Sequence, residues 1–348
     1  MNKRSFLLPV LITVALLGPL ARAEEEPTLK QRAEQAAAQL IGKPAPALQL
    51  TTLEGKPLDL AQYYGKRAVY LKIWATWCVP CRAQMPHFER TFESAGNDLA
   101  VIAIDAGFNE TRADIIDTRE EFGLRMPIVV DDGTLATMFG LQMTPLHIVI
   151  DRSGIIRHLG QAADDKLEAA LQAAKTAPLA GDFRAGAAPQ PVQTAAVGDA
   201  LPALNVDTLD KRHVALRDAK AAHGTALVFM NSWCESYLAK SRPDSAKACA
   251  QVREQVEQLK AAHPDVRWIA VSSGLWTAVG DLRKYAQDSR VTLPLTLDTD
   301  GQLFRRFGIH RVPSVVLADG NGKIVSRGEG YDAQLDLKLA RLSGGEPK

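Results

Sequence analysis

The second half of this 348-residue chain retraces the first, and that constrains its fold more than anything else in it. Pro202-Ala-Leu-Asn-Val-Asp-Thr-Leu209 echoes Pro46-Ala-Leu-Gln-Leu-Thr-Thr-Leu53, and Ala226-Leu-Val-Phe-Met-Asn-Ser-Trp-Cys234 echoes Tyr70-Leu-Lys-Ile-Trp-Ala-Thr-Trp-Cys78. Further on, Leu293-Pro-Leu-Thr-Leu-Asp298 follows Met126-Pro-Ile-Val-Val-Asp131, and Phe307-Gly-Ile-His-Arg-Val-Pro313 follows Phe139-Gly-Leu-Gln-Met-Thr-Pro145. The order is preserved throughout, with about a dozen residues gained in the second half after its first helix. Length alone suggests two domains, and the repeat makes them two copies of one fold.

Within the first copy, apolar, β-prone runs alternate with segments of helical periodicity. Ala68 to Ala75 reads as a central strand, and a helix begins at Cys78 with Cys81, Met85, Phe88 and Phe92 on one face. Ala100 to Asp105 is a second core strand, Thr111 to Phe122 a helix and Ile128 to Val130 a short strand. Leu146 to Ile150 and Ile155 to Leu159 form a hairpin about Asp151-Arg-Ser-Gly154, and Ala163 to Lys175 closes the unit as a helix. This alternation is α/β, a central mixed sheet flanked by helices. Five segments follow: a leader over 1–23, an exposed or loosely docked helix within 24–41, a first domain over 42–175, an Ala/Pro-rich linker over 176–197 and a second domain over 198–345.

Trp77-Cys78-Val79-Pro80-Cys81 sits where a strand passes into a helix. A thiolate attacks a disulfide, and a helix N-terminus favours the thiolate through its unpaired N–H groups and positive dipole end. Two intervening residues put Cys81 one turn behind, placed to release a mixed disulfide, and Pro80 falls in the first turn, where its missing N–H costs little. A zinc site would need a second C-x-x-C or paired histidines at ligand spacing. Neither is present, so no metal is expected and the dithiol is read as redox-active.

Gly42-Lys-Pro-Ala-Pro46, Trp74-Ala-Thr-Trp-Cys-Val-Pro-Cys81, Met85-Pro86 and Thr144-Pro145 make residues 42 to 175 resemble the TlpA/ResA-like periplasmic thioredoxin family. The resemblance implies two tandem thioredoxin-like domains and a protein-disulfide reductase, with clients such as haem-attachment cysteines or copper sites. It implies no cofactor and a membrane thiol–disulfide donor of electrons. It also implies that Pro145 is cis and faces the dithiol, with Trp77 and Thr144 shaping the substrate groove. Two positions depart from the pattern. Where thioredoxins bury an Asp below the dithiol stands Lys72, and where many relatives carry Glu after the second cysteine stands Gln84. Lys72 either favours a thiolate electrostatically or, the preferred reading, snorkels to solvent clear of the sulfurs.

In the second half Cys234 keeps the first position, but Tyr237 replaces the second cysteine. The P-x-x-x-T-x-x-C approach of a peroxidatic cysteine is missing as well. A single unbroken helix would hold Cys234 and Cys249 roughly 22 Å apart, and a disulfide needs Cα atoms within about 7 Å. A bond therefore requires the chain to fold back, for which Ser241-Arg-Pro-Asp244 offers a break; bonded and separate thiols both stay open. Pro313 repeats Pro145. His310 and His87 read as surface residues.

Lys3 and Arg4, the apolar run Phe6 to Leu20 and Ala21-Arg-Ala23 have the pattern of a cleavable secretion signal. Export to the periplasm is thus expected, with no stable membrane insertion after cleavage. With 41 basic and 40 acidic residues, the chain lacks the strongly basic balance of a nucleic-acid binder. The function this supports is disulfide exchange with partner proteins; the alternative is a copper-handling or client-binding protein whose thiols hold rather than turn over.

Overall fold

The computed structural model describes residues 26–179, 185–190, 192–218 and 223–342. The expected leader lies outside them, as do residues 24–25, part of the linker, residues 219–222 and the end of the second domain. Each half builds a five-stranded mixed sheet. In the first, the spatial order is Ile128–Val130, Leu99–Asp105, Ala68–Trp74, Leu146–Ile150, Ile156–Gly160; in the second it is Leu295–Asp298, Arg267–Ser273, Thr225–Met230, Ser314–Ala318, Ile324–Glu329. In both, the first three strands pair parallel, and the fourth pairs antiparallel with its neighbours on either side. A two-stranded hairpin precedes each sheet, Gln49–Thr51 with Pro57–Asp59 and Asn205–Asp207 with His213–Ala215. The repeat seen in the sequence is thus a repeat of topology.

Every residue of Ala68–Trp74 and Leu99–Asp105 is buried, as expected for central strands covered by helices on both faces. The helix expected from Cys78 is in fact two, Val79–Ala83 and Met85–Glu93, parted at Gln84 (φ −98°, ψ 0°). Pro86 explains the break: it has no N–H to give and its ring crowds the carbonyl four residues back. The chain also breaks between the helices Cys234–Tyr237 and Pro243–Ala262, at the place Ser241-Arg-Pro-Asp244 marks.

The connecting segment is pinned in its described parts. Gly186 exchanges backbone hydrogen bonds with Ala45 and Ala47, and Ala195 N–H donates to Arg306 O. Gly186 is required there, because a Cβ would stand 2.7 Å from Pro44 O. At the other end of the first unit, the helix Leu29–Leu40 reaches across to the second half, where Arg32 donates to Gly274 O and Thr277 O.

The two halves pack face to face. One apolar cluster runs from the first core through Trp77 and Phe108 into Trp233, Leu275 and Phe304. Trp77 and Trp233 stack with ring centroids 4.8 Å apart, and Phe108 meets Phe304 at 5.9 Å. The hydrogen bonds across this surface are reciprocal. Asn109 N–H donates to His310 O and Trp276 N–H donates to Gln142 O, each at 2.8 Å. Each half also turns its tryptophan inward alike: Trp77 Nε1 donates to Phe108 O and Trp233 Nε1 to Leu275 O. Equivalent residues exchanging equivalent contacts define an isologous interface, here built within one chain.

Candidate redox site

Cys78 caps the helix Val79–Ala83, and its Sγ accepts the Cys81 N–H at 3.1 Å. This follows from the local sequence: an extended residue before the helix, Pro80 in its first turn, and an unpaired N–H at the third position. The two cysteines are joined, with Cα atoms 5.2 Å apart. Thr144-Pro145 is cis, as the resemblance implies, and so is Val312-Pro313. The structure also resolves the alternative left open in the second half: Cys234 and Cys249 are bonded, their Cα atoms 6.3 Å apart.

Lys72 corrects the snorkelling expectation. Its side chain is wholly buried, its Nζ sits 5.1 Å over the Phe88 ring, and it has no hydrogen-bond partner among the described residues. Desolvation lowers its pKa to about 7. The lysine cannot reach water because it stands on a fully buried central strand, under the helix Met85–Glu93 that carries Phe88. Beside it lies His147, its cross-strand partner. Tyr70 Oη and His147 Nδ1 are 2.6 Å apart, His147 Nε2 and Gln84 Oε1 2.8 Å, and Gln84 Nε2 donates to Gln161 O at 3.1 Å. Since the amide nitrogen of Gln84 is committed to a carbonyl, its oxygen must accept, so Nε2 carries the imidazole proton and Tyr70 donates to Nδ1. Desolvation first, and then the charge of Lys72, push His147 down to about 2; the ring stays neutral. Gln84 is therefore the link between the break in the active-site helix and this buried polar row.

The second half also bonds to polar groups of the first around the dithiol. Trp276 Nε1 donates to Thr144 Oγ1 at 3.2 Å, and Val79 N–H donates to Tyr237 Oη at 3.1 Å. Cys78 and Cys81 are both completely covered, while Val79 between them is 62% exposed. On the far side of the interface, Val312 N–H, just before the second cis-proline, donates to Asn109 Oδ1. A cavity of about 150 Å³ lies between the halves, lined by Phe108, Gln142, Leu275 and Phe304 among others, and neither cysteine pair lines it.

Sequence reasoning missed this partnership. Trp276, Asn109 and Tyr237 carried no local signal, and neither did Arg242. The Arg242 guanidinium reaches from the cap of Pro243–Ala262 to Asn109 O (2.9 Å), Asp114 Oδ2 (3.3 Å) and Thr76 Oγ1 (2.6 Å). Near it two carboxyls face each other. Glu110 accepts the Thr76 N–H and Asp105 the Gly107 N–H. Burial raises the pKa of both, and for Asp105 the neighbouring Glu110 pushes it up further. Two carboxyls so placed give up their protons less readily than free ones. For an acid whose folded pKa is raised, stability falls as pH climbs from the unfolded pKa toward the folded one. Asp105→Asn keeps an oxygen for Gly107 and needs no proton. It should raise the urea midpoint at pH 8, with the gain fading by pH 4.

Among the described residues no cluster of three or more His, Cys, Asp or Glu side chains fits a metal ion, and no helix is long and apolar enough to cross a membrane. What remains is a strand-to-helix turn carrying a Cys-x-x-Cys pair beside a cis-proline, set in a mixed sheet: the site of a thioredoxin-like thiol–disulfide oxidoreductase. Comparison with known proteins agrees. The AhpC/TSA family profile matches residues 41–159 and 197–327, one span in each half, and the chain belongs to that family. Thiol-disulfide oxidoreductase ResA of Bacillus cereus is 32% identical over 136 residues, covering 38% of this chain and 77% of its own. The thioredoxin-like protein YneN of Bacillus subtilis is 29% identical over 133 residues, covering 37% and 78%. A solved thioredoxin-family thiol:disulfide interchange protein from Chlorobium tepidum, 24% identical, aligns with a TM-score of 0.35 over 38% of this chain and 97% of its own.

Proposed function

We propose that this protein works outside the cytoplasm, in the periplasm, reducing disulfides in partner proteins with the Cys78/Cys81 dithiol and drawing its electrons from a membrane thiol–disulfide donor. Cys78 is the nucleophile, Cys81 resolves the mixed disulfide, and Pro145 with Thr144 and Trp77 forms the groove that receives the client strand. The observation that carries this reading is the Cys81 N–H on Cys78 Sγ. A helix-terminal donor aimed at the first sulfur stabilises it as an anion, and only the anion attacks. The second sulfur, one turn inside the helix, is held for the intramolecular step. The reducing direction and clients such as cytochrome c or copper-site cysteines follow the likeness to ResA.

The test is turnover of insulin disulfides. Wild type should reduce insulin, Cys78→Ser should fall to the uncatalysed rate, and Cys81→Ser should accumulate mixed disulfide without turnover. Cys234→Ser should retain turnover. A wild type that fails to reduce insulin and instead takes up Cu(I) stoichiometrically would overturn the reading in favour of a metal-handling role.

A further inference from the structure

We infer that Cys234–Cys249 is a second redox-active disulfide, and that its reductant is the Cys78/Cys81 dithiol of the same chain. This rests on the reading of Cys78/Cys81 as an exchanging pair. Three observations carry it. First, Cys234 occupies in its half the place Cys78 occupies in the first, at the end of a central strand and the start of a helix. Cys249 Sγ lies 3.9 Å from Val312 O, the carbonyl just before cis Pro313. The second disulfide therefore sits beside the second half's cis-proline.

Second, the two cysteine turns face each other. The tryptophan before Cys78 stacks on the tryptophan before Cys234, and the residue after Cys78 donates its N–H to Tyr237, three residues beyond Cys234. Third, Cys234 is wholly covered and Cys249 is 6% exposed. The second bond offers little surface to an external protein thiol while the halves are closed, and the residues on either side of Cys78, Trp77 and Val79, lie against the turn that carries Cys234.

The exchange balances within the chain. The Cys78 thiolate attacks Cys234 Sγ; the Cys234–Cys249 bond breaks, Cys78–Cys234 forms, and Cys249 leaves as a thiolate. Cys81, deprotonated, then attacks Cys78 Sγ, which restores Cys78–Cys81 and frees the Cys234 thiolate. Two electrons pass from the first pair to the second, and the protons shed by Cys78 and Cys81 are taken up by Cys234 and Cys249. The consequence reaches the interface, because the loop closed by Cys234–Cys249 contains Tyr237 and Arg242, two residues that hold the second half over Cys78. Opening that loop loosens the cover, so the first pair, in handing on its electrons, exposes its own groove for renewed reduction.

The test uses the full chain in two forms. In the first, oxidised protein is treated with limiting dithiothreitol, quenched in acid, alkylated and mapped by mass spectrometry. Reduction of Cys234–Cys249 should be at least tenfold slower in Cys78→Ser/Cys81→Ser than in wild type, and equal rates would overturn the inference. In the second, Cys81→Ser/Cys249→Ser keeps only the attacking sulfur of Cys78 and the attacked sulfur of Cys234. Treated with oxidised glutathione as the two-electron oxidant, it should form a Cys78–Cys234 bond within one chain at a yield independent of protein concentration, whereas free thiols or only intermolecular dimers would overturn the inference. The Cys234→Ser/Cys249→Ser variant keeps the two failures apart. If it still reduces insulin while exchange is absent, the inference falls alone; if it and wild type are both inactive on insulin, the parent reading falls with it.

Discussion

Replacing Arg242 with Met should increase the alkylation rate of Cys78 in the reduced protein about 30- to 100-fold, with the far-UV spectrum unchanged. The guanidinium is the one charged group that ties the helix Pro243–Ala262 to three acceptors of the first half, Thr76 Oγ1, Asn109 O and Asp114 Oδ2. Its charge also stabilises the ionised forms of Asp105, Glu110 and Asp114. Methionine fills the volume and leaves the acceptors and the buried carboxyls without their cation. Breaking a buried charge pair from one side costs roughly 3–5 kcal/mol. Here the side chains of Arg242 and Asp114 are 19% and 33% exposed, so solvent recovers part of that, and about 2–3 kcal/mol is the reasonable share. At 1.4 kcal/mol per decade, that is the stated factor in the population of open molecules. Alkylation follows that population when opening and closing outpace the reagent. Arg242→Lys, which keeps the charge and loses the fork, should fall between. An unchanged rate in Arg242→Met would mean that the stacked tryptophans, not the arginine, hold the halves together.

What the sequence disclosed and what it hid divide along contact range. The duplication, the strand runs, the dithiol and the two prolines are written in contiguous residues, and the structure places all of them in matching positions. The split at Gln84 was legible too, in Pro86, but helical spacing across Cys81, Met85 and Phe88 masked it. The interface was not legible. Asn109 and His310 lie about two hundred residues apart, and a lone Asn after a strand looks like any loop residue. Lys72 failed for another reason. An isolated lysine in an apolar strand has two physical outcomes, reaching out or staying in, and only the depth of the strand decides between them. His147 carried the same signal, a polar residue inside the run Leu146 to Ile150, and its meaning depended on Tyr70 and Gln84, which only the fold brings near.

The buried lysine carries the second large effect. In the oxidised protein Lys72→Met should be more stable than wild type at pH 6 by up to about 5 kcal/mol, with the difference closing as pH rises through 7 to 10.5. The sign follows from the proton balance. An amine whose pKa falls from 10.5 to about 7 on folding binds fewer protons folded than unfolded between those values, so wild-type stability rises with pH across that window. Below it both states carry the charge, and the fold bears the whole penalty, about 1.4 kcal/mol for each tenfold loss of proton affinity on folding. Methionine fits the same apolar surroundings, including the Phe88 ring, and leaves no amine without a partner. A chain that retains such a cost has a use for the charge elsewhere in its cycle. Reduction creates thiolate at Cys78, four residues beyond this strand, and a protonated Lys72 in the same core would then attract an anion where it had met a neutral disulfide. The same substitution should therefore raise the pKa of Cys78, displacing its iodoacetamide pH profile upward. It should also make the couple more reducing, about 30 mV for each 1.4 kcal/mol of lost thiolate stabilisation. Urea titrations at pH 6, 8 and 10 together with the alkylation profile decide the matter. A stability gain with an unmoved profile would leave Lys72 a cost without a role at the sulfurs, and no gain at pH 6 would mean that the folded protein solvates the amine after all.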